Sequence, residues 1–288
     1  MSVSSTVDLH CHTTASDGTY TPTELVQAAR SIGLSAVAIT DHDTVNGHEE
    51  ALRAGMAEDL EVVPGIEFST SSGGTVHILG YYIDHTSEKL RNATNWIIHE
   101  RDDRNEKICA LMQTDGINIS YQKMKRRYGD VIGRPHFAVM LVRLGIASDV
   151  QDAFRRYMNK GERYFIRRRF LSLIQTITVI RQAGGVPVLA HPFQYQRDDD
   201  GLRTLIKECM DLGLLGMECH YSGYTPEQQE YLENLADEYS LIKTGGSDFH
   251  GANKAHIRLG TGINGTLSVP YEMLETLKEA HAKMERWV

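Results

Sequence analysis

Short apolar runs recur along this 288-residue chain, and most of them carry or end in a histidine, aspartate or glutamate. Val7-Asp8-Leu9 leads into His10-Cys11-His12, with Asp17 five residues on. AVAIT leads into Asp41-His42-Asp43. Val62 and Val63 lead into Gly65-Ile66-Glu67, and His77 lies within TVHILG. VPVLA ends at His191, and Leu241-Ile242 precede Ser247-Asp248-Phe249-His250. Runs this short, rich in β-branched residues and bounded by glycine or proline, read as buried strands. Residues two apart on a strand face the same way, so His10 and His12 project together. In a barrel of parallel strands the C-terminal ends converge on one face, where chemistry is done.

Helical segments separate several of these strands. Thr21-Pro22-Thr23-Glu24 offers an N-cap, a proline at the first turn and a capping-box glutamate. Leu25, Ala28, Ala29 and Ile32 then form an apolar stripe, and Gly33 supplies a stop. Ser172 to Gln175 and Thr225 to Gln228 repeat the capping pattern. Alternation of this kind means a parallel sheet, open or closed into a barrel. The middle differs: from about Ser87 to Gly161 helix follows helix, punctuated by Gly116, Gly129, Gly133 and Gly145. It reads as a helical insertion, 87–163, lying over one face of a barrel built from 1–86 and 164–288.

One buried histidine is most often a core residue. Six histidines (His10, His12, His42, His77, His191, His250) with Asp17, Glu67 and Asp248 on many strands require another explanation. Mixed imidazole and carboxylate suit zinc, manganese or iron better than magnesium alone. Nine ligands exceed the needs of one ion, so two or three divalent ions are expected, with a bridging carboxylate. The cysteines Cys11, Cys109, Cys209 and Cys219 are widely spaced, which argues against a disulfide framework or a cysteine zinc site and suits a reducing cytosol. No basic stretch leads an apolar run at the start, and no run of about 18 apolar residues occurs, so neither a signal peptide nor a membrane span is expected. The expectation is a cytoplasmic protein. A net charge of −8 argues against a nucleic-acid binder, yet Arg101 to Phe170 holds 16 Lys/Arg against 8 Asp/Glu. That basic middle suits an anionic substrate.

Together these motifs resemble the polymerase and histidinol phosphatase (PHP) family. Its first motif is similar to Asp8-Leu9-His10-Cys11-His12 with Ser16-Asp17-Gly18, and its second to Thr40-Asp41-His42. The later ones resemble Gly65-Ile66-Glu67, the His77 strand, Ala190-His191-Pro192 and Ser247-Asp248-Phe249-His250. The resemblance implies an α/β fold, a distorted (β/α)7 TIM-like barrel with an inserted helical subdomain, and a trinuclear site. One ion would take His10, His12, Glu67 and Asp248. Glu67 would bridge to a second held by His77 and His191, and Asp17, His42 and His250 would hold the third. Manganese is the first choice of metal, with zinc or iron as alternatives. Asp41 and Asp43 would orient a ligand histidine. His48, His85, His99, His256 and His281 read as structural or surface residues.

A hydroxide shared between the ions would attack phosphorus in line. Gly133-Arg134-Pro135-His136-Phe137 resembles the family's substrate-facing insertion motif, making Arg134 a phosphate clamp with His136 its neighbour. His220 ends another strand and would protonate the leaving oxygen or hydrogen-bond nearby, so Arg134, His191 and His220 form the catalytic set. Arg167, Arg168 and Arg169 follow Tyr164 and Phe165, a pattern able to cradle a nucleotide. The leading expectation is removal of the 3′-phosphate of a nucleoside 3′,5′-bisphosphate, giving AMP and phosphate from the adenosine compound. A 5′-to-3′ exoribonuclease on short RNA, a histidinol-phosphate-type phosphatase, a carbon–nitrogen hydrolase and a non-catalytic metal-binding module are the rivals. No stable DNA complex and no membrane partner are expected, and oligomeric state is left open.

Overall fold

The structure, a computed structural model, describes residues 5–129 and 131–285. Its main sheet comprises β1 (Val7–Asp8), β2 (Ala36–Ile39), β3 (Glu61–Ser71), β4 (Thr75–Tyr81), β5 (Leu171–Ser172), β6 (Val186–Leu189), β7 (Gly216–Tyr221) and β8 (Ile242–Gly246). Seven strands run in the order β1-β2-β3-β4-β6-β7-β8, and β5 pairs with the far end of β3. Leu9 N donates to Gly245 O at 3.2 Å and Asp248 N to His10 O at 2.8 Å, which brings β8 back to β1. The expected barrel is therefore present, and mostly parallel.

One strand departs from the parallel expectation. β4 is antiparallel to both β3 and β6. Only Ser72-Gly73-Gly74 joins β3 to β4, whereas a parallel crossover needs a dozen or more residues. Gly73 adopts φ +65°, which glycine takes without a side-chain clash. The inversion places the start of β4 at the barrel face where the parallel strands end. His77, third in β4 and paired with Ser69, reaches that face from the beginning of its strand.

The helices start as the sequence indicates. Helix α1 (Pro22–Ser31) has the Thr21/Glu24 capping box and follows into β2, and α2 (His48–Glu58) precedes β3. Later come α3 (Glu88–Thr114), α4 (Tyr121–Tyr128), α5 (Arg134–Arg143), α6 (Val150–Ala153), α7 (Leu173–Gln182), α8 (Asp199–Asp211), α9 (Pro226–Glu238) and α10 (Tyr271–Glu285). Ser172/Gln175 and Thr225/Gln228 cap α7 and α9. Alternation along β2 sorts its residues: Ala36 and Ala38 join the barrel core with Leu9, Val63 and Leu79, while Val37 and Ile39 pack with Leu25, Val26 and Ala51 of α1 and α2. The α1 stripe shifts slightly. Ile32 is 52% exposed, and Val26 is buried instead.

The chain forms two compact units, Met1–Thr94 with Phe170–Val288, and Asn95–Arg169. The division falls at 94/95 and 169/170 rather than 86/87 and 163/164, because α3 runs unbroken from Glu88 to Thr114 and its first turns belong with the barrel. The second unit contains the rest of α3, then α4, α5, α6 and a π-helical turn Phe154–Met158, around its own core of Ile108, Met112, Phe137 and Leu141. Among the described residues no helix is long and apolar enough to cross a membrane.

Candidate metal centre

All nine predicted ligands lie together at the strand ends of the barrel. Glu67, fully buried in β3, is the hub. Its Oε1 lies 2.7 Å from His77 Nδ1 and 2.9 Å from His191 Nε2. Its Oε2 lies 2.9 Å from His42 Nδ1, 3.3 Å from His12 Nε2 and 3.4 Å from His10 Nε2. Asp248 Oδ1 lies 3.2 Å from His12 Nε2 and 3.6 Å from His10 Nε2. Asp17 Oδ1 lies 3.2 Å from His250 Nε2, and its Oδ2 lies 3.9 Å from His42 Nε2. Three overlapping sets have one donor atom per residue within 4.8 Å of all the others: His10, His12, Glu67, Asp248; His12, Asp17, His42, His250; and His42, Glu67, His77. The first repeats the expected grouping. In the other two, His12 joins Asp17, His42 and His250, and His42 stands beside Glu67 and His77.

Several residues that the sequence reading passed over hold these side chains. Glu218, fully buried in β7, faces His10 Nδ1 at 2.9 Å and accepts from His191 N at 2.7 Å. A proton on Nδ1 leaves the Nε2 lone pair of His10 for the cluster. His250 Nδ1 likewise meets the Asp248 carbonyl at 2.8 Å, which leaves its Nε2 toward Asp17. Asp8 accepts from Ser247 N and Oγ and from Gly260 N, tying β1 to the segment after β8. Tyr221 OH and Lys254 Nζ both donate to Asp248 Oδ2, at 2.7 and 2.6 Å, and leave Oδ1 for the histidines. Asp41 accepts from Thr13 N and Oγ1 and from Ser16 Oγ, so it holds the loop of Asp17 rather than a histidine ring. Asp43 accepts from Ser69 N and adds its charge beside His42.

This donor set fits divalent transition metals. His10 Nε2, both nitrogens of His12, His42 Nδ1 and Glu67 Oε2 are buried without a hydrogen-bond partner. Such atoms each cost about 1–3 kcal/mol unless something satisfies them, and nitrogen and oxygen donors without thiolate suit manganese, iron or zinc. Burial alone would push the Glu67 carboxyl up, but His42, His77 and His10 hold it well below the usual range. Burial alone would lower His42, but Glu67 and Asp17 raise it to about 9. Divalent ions compete with such protons, so their binding releases protons and weakens as pH falls. The backbone is strained here too: Asp43, His191 and Asp248 have φ of 55°, 25° and 57°, and non-glycine residues hold such angles at roughly 1–3 kcal/mol each.

The residues expected on the substrate side fare differently. His220 is turned away from the cluster. A β-bulge between Glu218 and His220 shifts the register against β8, so the two side chains leave opposite faces of β7. His220 Nε2 meets Glu233 Oε1 of α9 at 2.6 Å and its Nδ1 faces Ser268 O, which removes it as a donor to a leaving oxygen. Tyr221 takes the inward place. His136 is buried and its Nδ1 accepts from Gly133 N at 2.9 Å, so it serves the capping box of α5. Arg134 lies over the Phe165 ring at 5.4 Å. Arg169 pairs with Glu100 and stacks on Trp96, while Tyr164 is buried and donates to Asp115, so these two are structural.

A barrel whose strand ends converge on a buried, carboxylate-centred set of imidazoles can hold divalent ions that activate water. The PHP domain matches residues 8–280, and the chain belongs to the PHP family. It is 35% identical over 244 residues to the 5′-3′ exoribonuclease of Haemophilus influenzae, spanning 84% of this chain and 89% of that one. It is 32% identical over 247 residues to the 3′,5′-nucleoside bisphosphate phosphatase of Chromobacterium violaceum, spanning 85% and 87%. A Bifidobacterium adolescentis protein provisionally named a metal-dependent phosphoesterase superposes with a TM-score of 0.83 at 31% identity, over 95% of both chains. The activity class is that of a metal-dependent phosphoesterase.

Proposed function

We propose that the protein hydrolyses the phosphate ester on the 3′ oxygen of a nucleotide that also carries a 5′-phosphate. A nucleoside 3′,5′-bisphosphate offers that bond as a monoester, and cleavage gives the 5′-monophosphate and phosphate. The first linkage of a 5′-phosphorylated RNA offers the same bond as a diester. The relatives support both forms, since one is a bisphosphate phosphatase and another a 5′-3′ exoribonuclease. The observation that carries the chemistry is Glu67, with both carboxylate oxygens shared among five histidines.

Bound divalent ions, manganese first among them, would supply an acidified water and neutralise charge on the phosphate oxygens. His10, His12, Glu67 and Asp248 would hold one; Glu67, His77 and His191, with His42 alongside, a second; Asp17, His42 and His250, with His12 alongside, a third. Glu218 orients His10 and the backbone of His191. Tyr221 and Lys254 fix Asp248 through one oxygen. Arg134 is the proposed phosphate clamp.

The test is product analysis with Mn²⁺-loaded protein. Adenosine 3′,5′-bisphosphate should yield AMP and phosphate, and a short 5′-phosphorylated RNA should lose 5′-mononucleotides from its 5′ end. Release of the 5′-phosphate instead, or turnover of histidinol phosphate at a higher kcat/KM, would contradict the proposal.

A further inference from the structure

The ladder between β4 and β6 is interrupted where it meets the metal centre. The antiparallel register runs from Tyr81 opposite Val186 to Ile78 opposite Leu189, so the next facing pair is His77 and Ala190. Ala190 N donates to His77 O at 3.2 Å. In an antiparallel ladder such a pair exchanges both bonds, so a second is due from His77 N to Ala190 O. A hydroxyl stands in its place. His77 N donates to Tyr195 Oη at 3.0 Å, and Tyr195 Oη donates to Ala190 O at 2.6 Å. His77 O lies 3.2 Å from the same oxygen. The inserted hydroxyl holds the two backbones wider apart than a direct bond of about 2.9 Å would.

Tyr195 ends the short 3-10 turn Pro192–Tyr195 that follows His191. Its ring lies 5.7 Å from the His191 ring, at 60°. Its hydroxyl partners are backbone groups of His77, a candidate ligand, and of Ala190, which precedes another. These two histidines form one limb of the centre. His77 Nδ1 and His191 Nε2 both reach Glu67 Oε1, at 2.7 and 2.9 Å, with ring centres 5.1 Å apart and planes at 73°. Pairing of β4 with β3 sets His77 opposite Ser69, and Glu218 holds the backbone N–H of His191. The separation of β4 from β6 is left to be set, and the Tyr195 hydroxyl stands in that gap.

We propose that Tyr195 is a positioning residue: its hydroxyl spaces β4 from β6 so that His77 and His191 can share one ion with Glu67. It binds neither ion nor substrate and acts through the two backbones. Without the hydroxyl the pair has two courses. His77 N bonds Ala190 O directly and draws one histidine toward the other, or a backbone N–H and a carbonyl lose their partner. Either course changes the limb of His77 and His191. His10, His12 and Asp248, carried by β1 and the segment after β8, keep their places. The proposal rests on the metal centre of the proposed function and is independent of which phosphate ester is cleaved.

The experiment titrates Mn²⁺ into the stripped full chain and counts bound ions at equilibrium, for the parent, Tyr195→Phe, His77→Ala and the double variant. Tm of each stripped protein is measured alongside. Tyr195→Phe should bind one ion at least about tenfold more weakly, with the other affinities unchanged. The double variant should lose less than about twofold beyond His77→Ala alone, because the hydroxyl acts through that limb. A merely structural tyrosine would lower the Tm of the stripped protein and leave every affinity as it was. That result, equal weakening of all the ions, or full additivity in the double variant would overturn the proposal. A parent that binds no divalent ion would remove the metal centre and the proposal with it. The readout is ion binding, so a failure of the substrate assignment does not imitate any of these outcomes.

Discussion

Glu218 shows how much of the centre depends on a residue that binds no ion. One oxygen faces the ring of His10 and the other receives the backbone N–H of His191. Glu218→Gln should fold but lose about 10- to 100-fold in metal affinity, measured by titrating Mn²⁺ into stripped protein. Unchanged affinity would show that the ligands are aimed without it. His48 is a second case. It is buried at the first position of α2, with Nε2 2.6 Å from Gly65 O and Nδ1 3.0 Å from Val45 O. Burial lowers it to about 4, and a helix N-terminus also disfavours a cation, so the folded ring is neutral and donates once. The unfolded chain binds this proton from its ordinary value near 6.5 downward. Stability from His48 is therefore full above about 6.5 and lost as pH falls toward 4, by about 1.4 kcal/mol per pH unit. His48→Gln should flatten that part of the stability profile, read by denaturant unfolding at several pH values. The nine clustered residues were legible at this scale because histidine and carboxylate are uncommon at the ends of apolar runs. Glu218 and Asp8 were not, since a single acid inside a strand carries no periodicity; the one signal of Glu218 is an acid within the apolar run GMECHY, where an unpaired charge is rarely buried.

At the scale of elements, the helix starts were legible because capping is local chemistry: Thr21, Ser172 and Thr225 each cap as their sequences indicate. Thr225→Ala should cost about 1 kcal/mol, with activity unchanged. Two features were not legible. The hairpin inverting β4 was hidden because an apolar run reads the same in either strand direction, and the bulge in β7 was hidden because strand alternation assumes one residue per step. The bulge turns His220, expected at the rim as the end of its strand, away from the cluster, and one extra residue gives the inward face to Tyr221. Close approach of β8 to β1 gives a further prediction. A side chain at Gly246 would begin 2.3 Å from His10 Cβ and 2.4 Å from His10 N. Gly246→Ala should cost ~3 kcal/mol and displace His10, so a chevron or denaturant midpoint and metal binding should both fall. Loss of neither would mean the strands are looser than drawn.

At the scale of the whole molecule, the barrel followed from alternation and family resemblance, and the helical unit from the run of helices between two strand-rich stretches. The boundaries were less legible because α3 belongs to both units and no glycine or proline marks its division. Ions that bind only the folded barrel stabilise it by mass action, by about 2.7 kcal/mol at a hundredfold excess over Kd. Chelation should lower Tm and Mn²⁺ should restore it. In the proposed reaction the Glu67-centred cluster holds divalent ions, and a 3′-phosphate ester is hydrolysed there. The measurement is therefore made on stripped protein reloaded with Mn²⁺, beside Glu67→Gln, with adenosine 3′,5′-bisphosphate as substrate and bound metal quantified in both. AMP and phosphate should form with the parent only, and bound metal should be reduced in the variant. Equal release by both proteins, or a fully loaded parent that releases no phosphate, would rule out that role for the cluster.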